Sequence, residues 1–160
     1  MNGAARLIGL IADTHGLVRP TVFDALAGVE LILHAGDVGE GVLDELRLIA
    51  PVEAVLGNTD APGTPGLVES LDRTVGGVRV HVSHGHELGS PTPKKLLARY
   101  DADVIIYGHT HQQYVGEFAG RWVVNPGAAG PRRFRLVPSV GRMKIDRRKI
   151  EIEIIELEKS

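Results

Sequence analysis

Short apolar runs alternate with amphipathic segments through the first half of the chain. The runs RLIGLIA, ELILHAGD and VEAVLGN have the length and the aliphatic content of buried β-strands. Between these runs, TVFDALAG and GVLDELRLIA place their apolar residues at the spacing of a helix. Because such an alternation is typical of a parallel sheet covered by helices, we predict one here.

The pattern changes after Asp60, where a loop rich in Pro and Gly is followed mainly by segments with the alternation of antiparallel strands. TPKKLLARYD predicts a helix capped by Thr92, and ADVIIYGH predicts another buried strand. Three hairpins are also predicted, in RTVGGVRVHVSHGH, QYVGEFAGRWVVNPG and RMKIDRRKIEIEIIEL. Mixed parallel and antiparallel strands predict an α/β (α+β) fold, with two packed mixed β-sheets in a sandwich flanked by helices.

The length and composition narrow the kind of protein further. A chain of 160 residues can bury its own core, so we predict a single domain over residues 1–160. The first apolar run stops at Asp13, which makes it too short for a signal peptide or a membrane span. We therefore expect a cytoplasmic protein without membrane association. The net charge of −2 gives no electrostatic case for bulk nucleic-acid binding.

The absence of cysteine excludes disulfides, thiolate metal sites and cysteine nucleophiles, so the chemistry must come from other side chains. Nearly every predicted buried strand ends in a polar side chain of metal-ligand type beside a glycine. In chain order these residues are Asp13, His15, Asp37, Asn58, His84, His109 and His111. Each of them alone is more often a turn, a cap or a core residue. Because equivalent strand ends meet at one edge of an open α/β sheet, we expect the seven side chains to share one cleft.

The number of these side chains favours two metal ions over one, since seven ligands exceed what a four-coordinate zinc ion uses. Asp37 has two carboxylate oxygens and could bridge two cations. Such cations would lie about 3.5–4 Å apart, a spacing used for in-line displacement at phosphorus. Imidazole, carboxylate and amide ligands together suit Mn, Fe, Co, Ni or Zn, and among these we favour Mn.

Five short motifs carry these residues: Asp13-Thr14-His15, Gly36-Asp37, Gly57-Asn58-Thr59-Asp60, His84-Gly85-His86 and Gly108-His109-Thr110-His111. With an N-P-G turn at Asn125 to Gly127, the ordered set resembles the calcineurin-like metallophosphoesterases, specifically their small single-domain prokaryotic phosphodiesterase branch. The resemblance implies a two-sheet sandwich that hydrolyses a small phosphate ester, with a diester favoured. The implied reaction is in-line attack by a hydroxide that bridges two divalent metal ions.

The resemblance also implies roles for individual residues. One ion would be held by Asp13, His15 and His111, and the other by Asn58, His84 and His109, with Asp37 bridging. The candidate catalytic residues are Asp37, Asn58, Asp60 and His86. Asp60 is expected to fix the loop of Asn58. His86 is a candidate general acid because Thr59 stands where larger relatives have a histidine, although a role in orienting a ligand is favoured for it.

Four further polar residues complete the set. His34 is predicted to support the metal ligands, with a hydrogen-bonded core histidine as the alternative. His81 lies out of phase with the valines on either side of it, so we predict that it faces solvent. Arg132 and Arg133 follow the N-P-G turn. A solvated pair is the favoured interpretation, and contact with a substrate phosphate is the alternative.

Two other functions stay open at this point. A phosphomonoesterase or phosphoprotein phosphatase would use the same site with a different pocket. A protein-binding scaffold, such as the retromer subunit that resembles this fold, would not need all seven ligands. Association into a homo-oligomer is also left open, because the apolar segment IEIEIIEL near the C-terminus could pair with the edge strand of a neighbouring copy.

Overall fold

The computed structural model describes residues 4–133 and 135–158, and we divide them into strands and helices numbered in chain order. The strands are β1 (Arg6–Ile11), β2 (Leu31–His34), β3 (Val52–Val55), β4 (Leu67–Val68), β5 (Ser70–Val75), β6 (Val78–Ser83), β7 (Val104–Ile106), β8 (Tyr114–Phe118), β9 (Arg121–Asn125), β10 (Ser139–Asp146) and β11 (Lys149–Glu156). The helices are α1 (Thr21–Ala25), α2 (Val42–Leu46), α3 (Pro93–Arg99) and a 3-10 turn at His86–Leu88.

The first sheet has six strands in the order β11-β10-β1-β2-β3-β4. Strands β1 to β4 are parallel, and β10 and β11 extend the sheet in antiparallel register. Helices α1 and α2 lie in the crossover segments, and their buried residues Val22, Val42 and Leu46 pack with Ile11 and Ile32 of the sheet. The predicted parallel sheet with covering helices is therefore confirmed for the first half of the chain.

The second sheet has five strands in the order β5-β6-β7-β9-β8. Strands β6, β7 and β9 are parallel, and the hairpin partners β5 and β8 lie antiparallel at the two edges. The predicted hairpin turn at Gly76-Gly77 is present, and both glycines have positive φ, at 55° and 80°. Helix α3 covers the outer face of this sheet, where Leu96 packs on Ile105 and Val123.

The two sheets pack face to face around the main hydrophobic core. Ile8 and Leu33 from the first sheet meet Val82, Ile106 and Val124 from the second, and all five are fully buried. Burying one such side chain contributes about 1.5–3 kcal/mol, so this layer dominates the stability of the fold. The predicted sandwich of two mixed sheets flanked by helices is confirmed. That residues 1–160 form a single domain stays a prediction, and residues 1–3, 134 and 159–160 lie outside the described ranges.

Local details differ from the sequence prediction. Helices α1 and α2 have only five residues each, and after α1 the chain turns at Gly28, which has a φ of 85°. The two-residue strand β4 was absent from the prediction; it forms because Leu67 and Val68 pair with Ala54 and Val55 of β3. None of the described helices has the length and apolar content needed to cross a membrane.

Candidate metal centre

The loops that follow the strands of both sheets meet at one end of the sandwich. The backbone N–H of Asp13 donates to the carbonyl of Gly36 at 2.9 Å, which joins the loops after β1 and β2. The N–H of Gly108 donates to the carbonyl of His84 at 3.0 Å, which joins the loops after β7 and β6. The two sheets are connected where the N–H of His109 donates to Asp13 Oδ2 at 3.0 Å. All seven side chains predicted as metal ligands lie on this connected set of loops.

One group of predicted ligands consists of three atoms that converge without a donor between them. His84 Nδ1 lies 2.8 Å from the carbonyl of Ala35, an acceptor, so Nδ1 carries the proton and Nε2 of a neutral ring has a free lone pair. That Nε2 lies 3.1 Å from Asn58 Oδ1 and 3.3 Å from Asp37 Oδ2. Three lone-pair-bearing atoms held this close repel one another unless a proton on Nε2 or a bound metal ion lies among them.

A second group gathers around the buried carboxylate of Asp13. Its Oδ1 lies 3.7 Å from Nε2 of His111 and 3.7 Å from Nε2 of His84, and His15 Nε2 lies 3.7 Å from Asp37 Oδ2. These distances are too long for hydrogen bonds. They suit ligands of a shared ion, since atoms that each lie about 2.1 Å from a metal are roughly 3–4 Å apart. Asp13 Oδ1 and His15 Nε2 are buried and have no hydrogen-bond partner among the described residues.

The contacts agree with the sequence-based assignment for Asp37 and differ from it for Asp13 and His109. Asp37 lies close to His15 and His84, one from each predicted ion, as a bridging residue would. Asp13, however, also reaches across, because its Oδ1 is equally distant from His111 and His84. His109 lies further out: its ring is edge-on to that of His84 with 5.2 Å between the ring centres. Two three-residue groups could hold an ion: Asp13, His15 and His111, and Asp13, Asp37 and His84.

The carboxylates of Asp13 and Asp37 give the centre an excess of negative charge, which favours binding of a cation. Burial, reinforced by the neighbouring Asp37, raises the pKa of Asp13 to about 7. Burial alone would lower the pKa of His84, but the hydrogen bond with Asp37 and the charge of Asp13 raise it above its ordinary value. Burial would raise the pKa of Asp37, but the hydrogen bonds of its carboxylate with His84 and with the Thr59 N–H hold this pKa below its usual range. Buried carboxylates this close together require protons or a bound cation, and a divalent ion fits the donor set.

The backbone at these ligands is held in an unusual conformation. Five of the seven predicted ligands have positive φ: Asp13 (52°), His15 (47°), Asp37 (54°), His109 (74°) and His111 (65°). Positive φ is uncommon for residues other than glycine. Such strain persists where surrounding structure imposes it, and it is concentrated at functional sites. The loops are therefore shaped to direct these side chains inward, at a cost to backbone energy.

Asp60 connects the loops that carry Asp37 and Asn58. Its carboxylate accepts the N–H of Val38 at 3.0 Å, that of Gly39 at 3.2 Å and that of Gly57 at 2.9 Å. Asp60 is therefore a positioning residue that fixes both loops, and it belongs to neither of the two ligand groups found among the described residues. The sequence prediction assigned it to the Asn58 loop alone.

His34 connects two other loops of the centre. Its Nδ1 accepts the N–H of Gly36 at 3.1 Å, so its Nε2 carries the proton and donates to Thr14 Oγ1 at 2.9 Å. Thr14 in turn donates to the carbonyl of Val38 at 2.6 Å. Complete burial lowers the pKa of His34 to about 3, so the ring stays neutral as this arrangement requires. Both parts of the prediction for His34 describe it, since it is a hydrogen-bonded core residue that supports the ligand loops.

At Gly36 and Gly57 a side chain would overlap a predicted metal ligand. A Cβ on Gly57 would lie 2.0 Å from Asp37 Oδ1, and a Cβ on Gly36 would lie 2.7 Å from His84 Nδ1. Gly36 also has a φ of 107°, which other residues rarely adopt. The glycines beside the ligands are thus explained by close approach as well as by turn conformation.

Asn125 at the end of β9 belongs to the support of the centre, although the sequence prediction gave it no role beyond its turn. Its Nδ2 donates to the carbonyl of Gly108 at 3.2 Å and to Thr110 Oγ1 at 3.0 Å. Its Oδ1 accepts the N–H of Gly127 at 2.9 Å. Asn125 therefore holds the loop that presents His109, and the N-P-G motif was the available signal for this role.

The other predicted polar residues have mixed outcomes. His86 is partly exposed and its ring centre lies 5.2 Å from that of His84, so it borders the centre; its role as an acid or an orienting residue stays a prediction. Arg132 is exposed, in agreement with the favoured interpretation of a solvated residue, and it pairs at the surface with Glu158 at 3.1 Å. Burial lowers the pKa of His111 to about 4, with a smaller contribution from the charge of Arg133, whose contact with a substrate phosphate stays a prediction.

The prediction that His81 faces solvent is wrong. Only 5% of its side chain is exposed, and its ring stacks on that of Tyr100 with 3.9 Å between the ring centres. Its Nδ1 lies 2.9 Å from Asp72 Oδ1. The alternation along β6 correctly places His81 on the outer face of the second sheet, but Tyr100 at the end of α3 covers that face.

The chain is similar in sequence and in fold to known proteins, and the sequence relatives include metallophosphoesterases. A model of the calcineurin-like phosphoesterase superfamily domain matches residues 7–148. A probable metallophosphoesterase of Methanothermobacter thermautotrophicus is 40% identical over 159 residues, covering 93% of this chain and 91% of that protein. A phosphodiesterase of Methanocaldococcus jannaschii is 27% identical over 139 residues, covering 75% of this chain and 82% of that protein. A single mutant of Vps29 from Entamoeba histolytica has a similar fold, with a TM-score of 0.78 and 24% identity over 94% of this chain and 98% of that chain.

Proposed function

The chain belongs to the calcineurin-like phosphoesterase superfamily, and we propose that it is a phosphodiesterase that depends on two divalent metal ions, with Mn²⁺ favoured. The observation that carries this proposal is the convergence of His84 Nε2, Asn58 Oδ1 and Asp37 Oδ2, which are all acceptors when the His84 ring is neutral. The second group around Asp13 supports a second ion. The favoured diester substrate is in keeping with the phosphodiesterase named among the relatives.

Individual residues of the chain would have distinct roles in such a reaction. Divalent ions bound here would supply Lewis acidity, which activates water and neutralises the oxygens of the phosphoryl group. Asp13 and Asp37 hold that positive charge in place, while His84 keeps its Nε2 lone pair available because Nδ1 donates to a carbonyl. Asp60 and His34 keep the loops from relaxing, so the ligands are organised before substrate arrives. No nucleophilic side chain is assigned, so the proposed hydrolysis has no covalent intermediate.

The test of this proposal is restoration of activity by metal. We expect metal-stripped protein to be inactive on bis-p-nitrophenyl phosphate and to regain turnover when Mn²⁺ is added, with two ions bound per chain. Release of p-nitrophenolate measures the activity, and mass spectrometry of washed protein measures the metal. Added Ca²⁺ is the control, since it suits imidazole ligands poorly. Binding of two ions without turnover of any ester tested would contradict the proposal.

The residue at position 59 leads to a prediction about leaving groups. Thr59 is exposed and its backbone N–H donates to Asp37, while its hydroxyl is a poor proton donor near neutral pH. We expect diesters with aryl leaving groups to react far faster than methyl or other alkyl diesters, by about a hundredfold or more, because a general acid typically contributes 10²–10⁴-fold. Steady-state rates on matched aryl and alkyl esters measure the difference. Comparable rates would show that another group, with His86 the first candidate, protonates the leaving oxygen.

Two alternative functions can be separated from this proposal by experiment. A phosphomonoesterase would share every ligand, and the ratio of rates on p-nitrophenyl phosphate and its bis ester separates the two. A protein-binding scaffold would not hydrolyse esters whether or not it binds metal, so metal-dependent turnover separates it from this proposal. The cytoplasmic location and the homo-oligomer stay predictions.

A further inference from the structure

The loop after β6 carries His84 and His86, and a glutamate in the 3-10 turn that follows folds back onto this loop. The backbone N–H of Gly85 donates to Glu87 Oε1 at 2.9 Å. Gly85 has a φ of 102°, a conformation that other residues rarely adopt, so the chain turns sharply between the two histidines. The carboxylate of Glu87 therefore holds this turn from within.

The other oxygen of the same carboxylate connects the turn to the end of α3. The hydroxyl of Tyr100 donates to Glu87 Oε2 at 2.7 Å. Tyr100 is itself held by its ring, which stacks on that of His81 in β6 with 3.9 Å between the ring centres. Its backbone carbonyl also accepts from the guanidinium of Arg121 in β9 at 2.6 Å. Because Tyr100 is fixed to two strands of the second sheet, its hydroxyl ties the turn to the body of the fold.

Both partners are in the protonation states that this contact requires. Burial would raise the pKa of Glu87, but the hydrogen bonds of its carboxylate, that with Tyr100 first, hold this pKa below its usual range. Burial and the contact with Glu87 raise the pKa of Tyr100, so its hydroxyl keeps the proton that it donates. A hydrogen bond to an ionised acceptor is about twice as strong as one between neutral groups, so this contact is a firm one.

The turn held in this way lies between two residues of the metal centre. His84 is fixed on its other sides, because its Nδ1 donates to the carbonyl of Ala35 at 2.8 Å and its own carbonyl accepts the N–H of Gly108 at 3.0 Å. His86 Nδ1 is buried, has no hydrogen-bond partner among the described residues and lies 4.0 Å from Glu87 Oε1. Loss of the Glu87 carboxylate would therefore free the segment that presents both histidines.

We propose that Tyr100 and Glu87 are positioning residues of the metal centre, which hold the turn after His84 so that its ring stays aligned with a bound ion. The inference rests on the proposed function, because it takes His84 as a metal ligand. Tyr100 acts through Glu87, and Glu87 acts through the backbone N–H of Gly85. Loss of hydrogen bonds that orient metal ligands typically lowers metal affinity by about 10–100-fold.

Three substitutions test the proposal through the affinity of the metal-stripped full chain for Mn²⁺. Glu87→Ala removes both hydrogen bonds, Tyr100→Phe removes only the hydroxyl, and Glu87→Gln can keep both bonds through its amide. We expect the affinity to fall about tenfold or more in Glu87→Ala, about threefold or more in Tyr100→Phe, and less than about threefold in Glu87→Gln. Calorimetry measures the affinity without reference to turnover. A loss in Glu87→Gln as large as that in Glu87→Ala would show that charge is needed in place of the hydrogen bonds, and would overturn the proposal.

Matched controls separate positioning from stability and from net charge. Tyr114→Phe removes a hydroxyl from the same hydrophobic cluster that α3 forms with the second sheet, and Glu117→Ala removes an exposed carboxylate from β8. We expect both controls to bind Mn²⁺ within about twofold of the unmodified chain. All affinities are measured far below the Tm of each variant, so that unfolding does not contribute. If Glu87→Ala and Tyr100→Phe had a lower Tm yet bound Mn²⁺ as tightly as the controls, their role would be structural only and the proposal would be overturned.

Failure of the positioning role and failure of the proposed function give different results. Mn²⁺-dependent hydrolysis of bis-p-nitrophenyl phosphate, with unchanged Mn²⁺ affinity in Glu87→Ala and Tyr100→Phe, would leave the phosphodiesterase intact and remove the positioning role. The expected order of Mn²⁺ affinities, without hydrolysis of any diester, would support the positioning role and remove the phosphodiesterase.

Discussion

Replacing Asp37 with asparagine is expected to abolish Mn²⁺-dependent hydrolysis, with a loss of about a thousandfold or more in kcat/KM. The Asp37 carboxylate lies 3.3 Å from Nε2 of His84 and 3.7 Å from Nε2 of His15, so it contacts both groups of ligands. An amide keeps the shape of the side chain but loses the charge and one of the two acceptor oxygens. Metal content by mass spectrometry is expected to fall below two ions per chain together with activity.

The stability of the metal-free variant distinguishes loss of the site from loss of the fold. Asp37 and Asp13 repel each other in the absence of a cation, which is part of the reason that the pKa of Asp13 is raised to about 7. Relief of this repulsion is opposed by loss of the charge-assisted hydrogen bonds that hold the pKa of Asp37 below its usual range, so the Tm of the metal-free variant is expected to fall modestly while the fold is retained. Asp44→Asn serves as the control, since that carboxylate is 88% exposed on α2. Full activity with two bound ions in Asp37→Asn would remove the bridging role.

Much of the centre could be read from the sequence because its residues follow strand ends. The resemblance to a family of metallophosphoesterases, drawn from five short motifs, is confirmed by the match over residues 7–148. Predicted strands ending in Asp, Asn or His led to seven side chains, and the structure brings all seven to one end of the sandwich. This inference needs only the period of a strand and the rule that parallel strands end at one edge.

What the sequence could not provide depends on contacts between distant segments. The burial of His81 follows from the position of Tyr100, nineteen residues later, over the outer face of the second sheet. The reach of Asp13 toward both His84 and His111 depends on how the two sheets meet, which no local pattern encodes. The positive φ angles of the ligands are likewise imposed by neighbouring loops, since Asp and His alone do not predict them.

Removing the Asp60 side chain is expected to weaken metal binding although Asp60 belongs to neither group of ligands. In Asp60→Ala the N–H groups of Val38, Gly39 and Gly57 lose their shared acceptor, and the two loops that carry Asp37 and Asn58 lose their connection. Loss of a residue that orients metal ligands typically lowers metal affinity by about 10–100-fold. Unpaired backbone donors should also lower the free energy of unfolding of the metal-free protein by about 2–4 kcal/mol, because water reaches only part of this region.

The positioning role of Asp60 is separated from a purely structural one by measuring Mn²⁺ affinity and unfolding on the same variants. Asp60→Asn keeps one oxygen that accepts from Val38 and Gly39 but turns an amide donor toward the N–H of Gly57, so we expect it to recover part of the stability and less of the affinity. Asp44→Ala removes an equal charge from an exposed position and should change the free energy of unfolding by no more than about 0.5 kcal/mol. If Asp60→Ala lowered the stability yet bound Mn²⁺ as tightly as the unmodified chain, the loops would not depend on Asp60 to present their ligands. We expect instead that the variant binds Mn²⁺ more weakly even at temperatures far below its Tm. The reason is that the connection between the two loops organises the metal centre, and the stability of the whole fold contributes only secondarily.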